Sequence, residues 1–190
     1  MAGNTGKEIE LKYLIYEDGI DYTTPGFRKL YQSVKFLELD IFRHGSIINQ
    51  GYLSLKSGID ISNIINMQVN FDPKVARLRS KSFFDSDKDK EYYFTLKGDG
   101  MLERDELEER IKRELYLQYW KETEGKRVKK VRYEKKHSFY TIEFDSYIDD
   151  RPDLIIAEIE VPNRTFISGV IPIGKDVTYD PRYKNSNLAK

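Results

Sequence analysis

The stretch Glu8-Ile9-Glu10-Leu11-Lys12 (EIELK) carries a charge at every second position, with an aliphatic residue between each pair. Successive side chains of a strand leave opposite faces, so this spacing puts the charges on one face and the aliphatic residues on the other. The alternation recurs as Arg77 and Arg79 in ARLR, Thr95 and Lys97 in FTLK, and Glu106 and Glu108 in DELEER. It continues with Lys130 and Arg132 in KVR, Glu143 and Asp145 in IEFD, and Glu158 and Glu160 in AEIEV. A single doublet describes any sheet face in water. A series is different when several doublets each carry one sign, because like charges so placed repel unless opposite charge lies between them. Acidic and basic strands facing one shared interior would hold a cation and a polyanion together.

Composition agrees with a folded, polar protein. The chain has 190 residues, which favours a single compact domain of β-barrel type. Hydrophobic residues make up 39% and charged residues 34%, yet aromatics are plentiful, which separates the chain from disordered sequences. Lys plus Arg equal Asp plus Glu at 32 each, so nothing steers the whole chain toward nucleic acid and any anion site needs local charge separation. The absence of cysteine excludes disulfides, zinc thiolates and cysteine nucleophiles. Without a secretory signal, lipidation motif or membrane-length apolar run, no membrane partner is expected and the cytoplasm is the default location.

Residues 1–6 (MAGNTG) read as a disordered tail, followed by a strand over 7–17. Thr24-Pro25-Gly26 breaks the chain, and FRKLYQSVKFLEL after it has the makings of a short helix. A strand is expected over 49–57, then a loop-like insertion through Asp72-Pro73. Further strands are expected at 75–82, 91–98 and 101–111, with Gly98-Asp99-Gly100 as a hairpin turn rather than a phosphate loop, because no helix follows it. Residues 112–123 place Leu115, Tyr119 and Trp120 on a helical face ending at Gly125. Strands return at 127–134, 138–147 and 154–162, and RYKNSNLAK can close the chain with a short helix. No repeat of fixed period is present, so residues 7–190 are read as one domain. His44 and His137 fall outside the charged motifs and read as surface residues.

EIELK, QGYL (50–53), RLR (77–79), TLKG (95–98), the acidic strand at 106–108, EGKRVKKVRY (124–133), IEFD (142–145), AEIE (157–160) and VTYDPRYKNSNLA (177–189) stand in an order that resembles the CYTH family. That family is also called the triphosphate tunnel metalloenzymes, and the likeness is to its compact bacterial branch over residues 7–189. Segments 14–49 and 57–74 look long by comparison and could cover a tunnel mouth or mediate association, which leaves a homodimer open.

The resemblance implies a mainly β (α+β) fold, a closed barrel of eight antiparallel strands with a polar lumen and flanking helices. Ile9, Leu11, Leu78, Phe94, Leu96, Leu107, Val131, Phe144 and Ile159 alternate with the charges and would then face outward. The implied activity is metal-dependent hydrolysis of inorganic triphosphate or another triphosphate-containing small molecule. A class IV-type adenylate cyclase and a polyphosphate- or nucleotide-binding module are the alternatives, because fold alone does not choose between them. Lys12, Arg77, Arg79, Lys97, Lys130 and Arg132 would bind phosphate oxygens. Glu8, Glu10, Asp145, Glu158 and Glu160 offer hard oxygen ligands suited to Mg²⁺ or Mn²⁺. Lys12 and Tyr52 look like the pair that orients the attacking water, while Glu106, Glu108 and Glu143 would balance lumen charge. Trp120 lies away from the Arg77/Arg79 strand, which speaks against a site built to stack a nucleobase on it.

Overall fold

The alternating segments form strands that pair in one closed circuit. The protein is described by a computed structural model over residues 4–25, 45–83, 89–137, 139–148 and 151–189. Its eight long strands are β1 (Asn4–Glu17), β2 (Ser46–Leu53), β3 (Val75–Phe83), β4 (Glu91–Lys97), β5 (Glu103–Arg110), β6 (Arg127–His137), β7 (Tyr140–Tyr147) and β8 (Ile155–Glu160). They follow the order β1-β5-β4-β3-β2-β6-β7-β8, and β8 returns to β1, all pairs antiparallel. Strand β1 closes the barrel by dividing its length: Asn4–Ile9 pairs with β5, and Glu10–Tyr16 pairs with β8. Because β1 pairs from Asn4, the strand starts three residues before Lys7, where the sequence placed its beginning. Two-residue strands add to its far end, Ile20–Asp21 through a tight turn at Asp18 and Gly19 (φ 49° and 82°) and Lys175–Asp176 beside Tyr13 and Leu14.

The barrel is apolar outside and charged inside. Ile9, Leu11, Leu78, Phe94, Leu96, Leu107, Val131, Phe144 and Ile159 are all buried, as an outward-facing layer covered by other elements would be. Helices α1 (Leu55–Ile64) and α2 (Arg113–Trp120) cover Ala76, Leu78, Phe94 and Leu96, while the turn over Arg164–Gly169 and Ile173 cover the outer faces of β1, β7 and β8. Leu14, Val128, Tyr147 and Ile156 face inward at one end of the lumen. Val177, Tyr183 and Leu188 of the terminal segment, which includes α3 (Asn185–Leu188), pack onto them. That end is therefore plugged.

Helix α1 stands where a strand ending at residue 57 and a loop were expected. Ser54 stops β2 and caps the helix, its Oγ accepting the Ser57 amide at 3.1 Å. The buried face of α1 is Gly58, Ile61 and Ser62, while Leu55, Ile59 and Ile64 are exposed, so its apolar residues do not trace the packed face. Gly58 is needed for contact: a Cβ there would lie 2.5 Å from the Ala76 Cβ. At the β4–β5 turn, Gly100 has φ 135° and a Cβ would lie 2.0 Å from the Glu103 carbonyl oxygen, so the GDG stretch is turn chemistry. Helix α2 and its 3-10 extension through Thr123 match the expected 112–123 segment, with Tyr116 and Tyr119 buried. FRKLYQSVKFLEL, His44 and the side chain of His137 lie outside the described residues.

Ile61 is fully buried against this wall. Ile61→Ala is expected to lower the unfolding free energy by about 2–5 kcal/mol, the usual range for such a core truncation, as read from urea denaturation. A loss under about 0.5 kcal/mol, typical of surface substitutions, would mean that α1 does not pack as described.

Candidate functional site

Antiparallel register decides which inward charges meet. Lys12 stands opposite Glu158 and Glu10 opposite Glu160 across β1 and β8, while Glu8 stands opposite Arg104 across β1 and β5. Lys97 faces Glu106 and Thr95 faces Glu108 across β4 and β5, and Arg77 pairs with Thr95 and with Tyr52 on its two neighbours. Arg132 stands opposite Asp145. These side chains line a cavity of ≈ 580 Å³ together with Lys184, Asn185 and Ser186 of the terminal segment.

Three carboxylates converge on one side. Oxygens of Glu8, Glu10 and Glu160 lie within 4.8 Å of one another, the one such acidic or histidine group among the described residues. Lys97 reaches Glu8 at 2.8 Å and Glu106 at 2.7 Å. Lys12 holds Glu158 at 2.7 Å and Glu10 at 3.4 Å, and donates to the Tyr183 carbonyl. Although burial pulls the Lys12 ammonium down, the Glu158 and Glu10 carboxylates outweigh it and hold its pKa above the ordinary value. On the basic side, Arg77 donates to Thr95 and Glu108, both at 3.1 Å, and Arg79 to Glu108 at 2.5 Å. The Nε atoms of Arg77 and Arg79 are buried and have no hydrogen-bond partner among the described residues.

Tyr52 lines the cavity, and its hydroxyl accepts from the Gln50 amide at 2.9 Å. Burial pushes the phenol up to about 12, even though Arg77 and Lys12 act in the other direction. It is therefore a neutral hydrogen-bonding group at ordinary pH.

The structure brings thirteen of the fifteen expected side chains to the cavity wall: Glu8, Glu10, Lys12, Tyr52, Arg77, Arg79, Lys97, Glu106, Glu108, Arg132, Glu143, Glu158 and Glu160. The exceptions are Lys130 and Asp145, expected as a phosphate contact and a metal ligand. Both face inward but are essentially inaccessible, at 1% and 0% exposed, and do not line the cavity. Asp145 is held by Lys130 and by both Nε and a terminal nitrogen of Arg132, at 2.7 and 2.6 Å for the latter two. Its oxygens are already committed, so it acts as the anchor of two cations. Glu158 likewise accepts from Lys12, Arg132 and Asn185 and does not join the three-carboxylate group.

Sequence reasoning missed three groups. Arg104 lies two positions before Glu106, so the alternation rule extended one step would have found it; Gln50 precedes Tyr52 in the same way. Asn185 comes from the terminal segment, and no local signal announces that it reaches the cavity.

Two acids are held far from their ordinary state. Burial pushes Glu143 up to about 7, opposed by Arg132 and reinforced by Asp145 and Glu158. Glu160 keeps solvent access at the rim, yet loss of hydration on its cavity side, with the charges of Glu143, Glu8 and Glu10, pushes it up to about 8. For Glu158, burial is outweighed by Lys12, Lys130 and Arg132, which hold it well below the usual range.

No protein-family model matches the chain. It is similar to the inorganic triphosphatase of Nitrosomonas europaea, at 37% identity over 103 residues, which is 52% of this chain and 68% of that protein. It is also similar to the inorganic triphosphatase of Acetivibrio thermocellus, at 41% identity over 64 residues, 33% of this chain and 41% of that one. Among solved structures, a crystal structure of an inorganic triphosphatase superposes with a TM-score of 0.50 at 26% identity, covering 96% of this chain and 93% of that one.

The acid shifts set a pH dependence. Glu143 and Glu160 have folded-state values of about 7 and about 8, above the ordinary 4.5, so between these pH values the folded state binds more protons than the unfolded state. Their contribution is fully present below 4.5 and is lost as pH rises through about 8. In the presence of chelator, Glu160→Gln is expected to show a smaller loss of stability between pH 5.5 and 8 than the unaltered chain, measured by urea midpoints. Equal slopes would remove Glu160 as a source of that dependence.

Proposed function

The chain belongs to the inorganic triphosphatase-like branch of the CYTH, or triphosphate tunnel, family, and from that premise we propose that it is a Mg²⁺- or Mn²⁺-dependent hydrolase of inorganic triphosphate. The observation that carries this reading is the meeting, in one cavity, of the Glu8/Glu10/Glu160 carboxylate group with the guanidinium-bearing residues Arg77, Arg79 and Arg132. The first suits a hard divalent cation and the second a polyanion. Glu8, Glu10 and Glu160 would hold the ion, since three carboxylate oxygens within 4.8 Å fit one oxygen-preferring cation. Bound there, the ion would offset substrate charge and polarise a phosphate oxygen.

The remaining work falls to the chain. Arg77, Arg79, Lys97 and Arg132 fork or point onto phosphate oxygens and fix the chain of phosphates along the cavity. Glu106, Glu108 and Glu143 keep those cations placed. Lys12, held by Glu158, and Tyr52, held by Gln50, hydrogen-bond the water that attacks the terminal phosphorus in line. The new P–O bond forms from that water, the terminal anhydride P–O bond breaks, and orthophosphate and pyrophosphate result. With its phenol at about 12, Tyr52 orients the water without serving as its base.

Products formed from tripolyphosphate, ATP and thiamine triphosphate, each with Mg²⁺ and with Mn²⁺, test the reading. Orthophosphate from tripolyphosphate is expected; cyclic AMP with pyrophosphate as the main product from ATP would assign a cyclase instead. Excess EDTA should abolish turnover, and Glu10→Gln should lower the rate by about a hundredfold or more, as loss of a key charge-stabilising group does. Near-normal rates in that variant would place the metal elsewhere.

Binding and chemistry separate by residue. Arg79→Ala removes a donor that contacts substrate in ground and transition states alike and should raise KM. Tyr52→Phe should lower kcat by about ten- to a thousandfold with KM little changed; an unaltered kcat would make the hydroxyl structural.

A further inference from the structure

Strand β1 carries the Glu8/Glu10 doublet between two neighbours of opposite character. On the β8 side Glu160 stands opposite Glu10 and adds a third negative charge; on the β5 side Arg104 stands opposite Glu8. The Arg104 Nε lies 2.7 Å from Glu8 Oε2, and one of its terminal nitrogens lies 3.4 Å from Glu10 Oε2. One guanidinium thus spans two of the three carboxylates that converge within 4.8 Å. Lys12 and Lys97 also touch the doublet, but each is shared with another carboxylate at 2.7 Å, Glu158 and Glu106 respectively. Glu160 makes no ion pair among the described residues. Arg104 is mostly shielded from water, its side chain 16% exposed, so its charge acts on the cluster with little screening.

The geometry points to Arg104 as the resident counter-cation of this cluster: in the metal-free barrel it holds Glu8 and Glu10 together, and a divalent ion binds by taking over the carboxylate oxygens that Arg104 occupies. The inference rests on the reading that Glu8, Glu10 and Glu160 hold the ion. Three convergent carboxylates without a cation would repel one another and spread apart. The guanidinium prevents this by bridging the two that share a strand, which keeps the cluster assembled before the ion arrives. The same positive charge opposes the ion, so affinity is set by an exchange of one cation for another. Arg104 acts through Glu8 and Glu10 and is a positioning residue.

The test is Mn²⁺ titration of the full chain stripped with chelator, free Mn²⁺ being followed by electron paramagnetic resonance. Removing a positive charge this close should tighten Mn²⁺ binding by at least about tenfold in both Arg104→Met and Arg104→Gln. Arg104→Lys, which keeps the charge, should stay within about threefold of the unaltered chain. Glu10→Gln should weaken binding. Metal-free Arg104→Met should also unfold at a lower temperature than the metal-free parent, with the difference closing at saturating Mn²⁺. If folded Arg104→Gln or Arg104→Met binds Mn²⁺ no tighter than the parent while Glu10→Gln weakens it, the counter-cation role is overturned and the metal site stands. Mn²⁺ binding indifferent to Glu10→Gln would overturn the metal site and this inference with it.

Discussion

A charge turned into a barrel lumen survives only if another charge meets it. Desolvating an isolated ion costs several kcal/mol, and the penalty is offset inside this barrel by cross-strand partners: Asp145 with Lys130 and Arg132, Glu158 with Lys12 and Arg132, Glu108 with Arg77 and Arg79. That requirement also specifies the register of the sheet. A slip of one residue in β1 would turn Glu8, Glu10 and Lys12 into the apolar outer layer and bring Ile9 and Leu11 among the charges. The side-chain alternation, the closure of the strands and the covering helices therefore follow from one constraint.

Within that network the pairing is deliberately incomplete on one side. Asp145 and Glu158 are surrounded by cations, whereas burial pushes Glu143 and Glu160 up toward neutral pH, reinforced at Glu160 by the charges of Glu143, Glu8 and Glu10. The Nε atoms of Arg77 and Arg79 lack partners among the described residues. Unpaired donors and crowded carboxylates lower the stability of a metal-free protein, and such local conflict is characteristic of sites prepared for a ligand. A cation arriving at Glu8, Glu10 and Glu160 would relieve the crowding of the carboxylates.

The closed end of the barrel is tied to the same chemistry. The segment that packs Val177, Tyr183 and Leu188 into the lumen also offers the Tyr183 carbonyl to Lys12 and the Asn185 amide to Glu158. Apolar packing and polar contacts thus act on one pair of residues. The plug fixes the depth of the cavity, and through Lys12 and Glu158 it also fixes the direction of an ammonium that faces the carboxylate cluster.

The sequence by itself determined the existence of the eight long strands, the burial of Ile9, Leu78 and Phe94 on the covered outer face, and the inward position of the charged doublets, because alternation with a period of two is a local property of the chain. It also determined the turn chemistry of the GDG stretch and the helix after Ile111. It misread α1 as the end of a strand followed by a loop, because the packed face of that helix is Gly58, Ile61 and Ser62 and so carries no apolar period. Only the tertiary structure decided which charges meet: that Asp145 is closed off from the cavity by its cations, that Glu160 joins Glu8 and Glu10, that Arg104 bridges the doublet and that Asn185 reaches Glu158. The reason is physical. Lys12 and Glu158 stand 146 residues apart, and their contact depends on the register and closure of the whole barrel, which no spacing within a single strand contains.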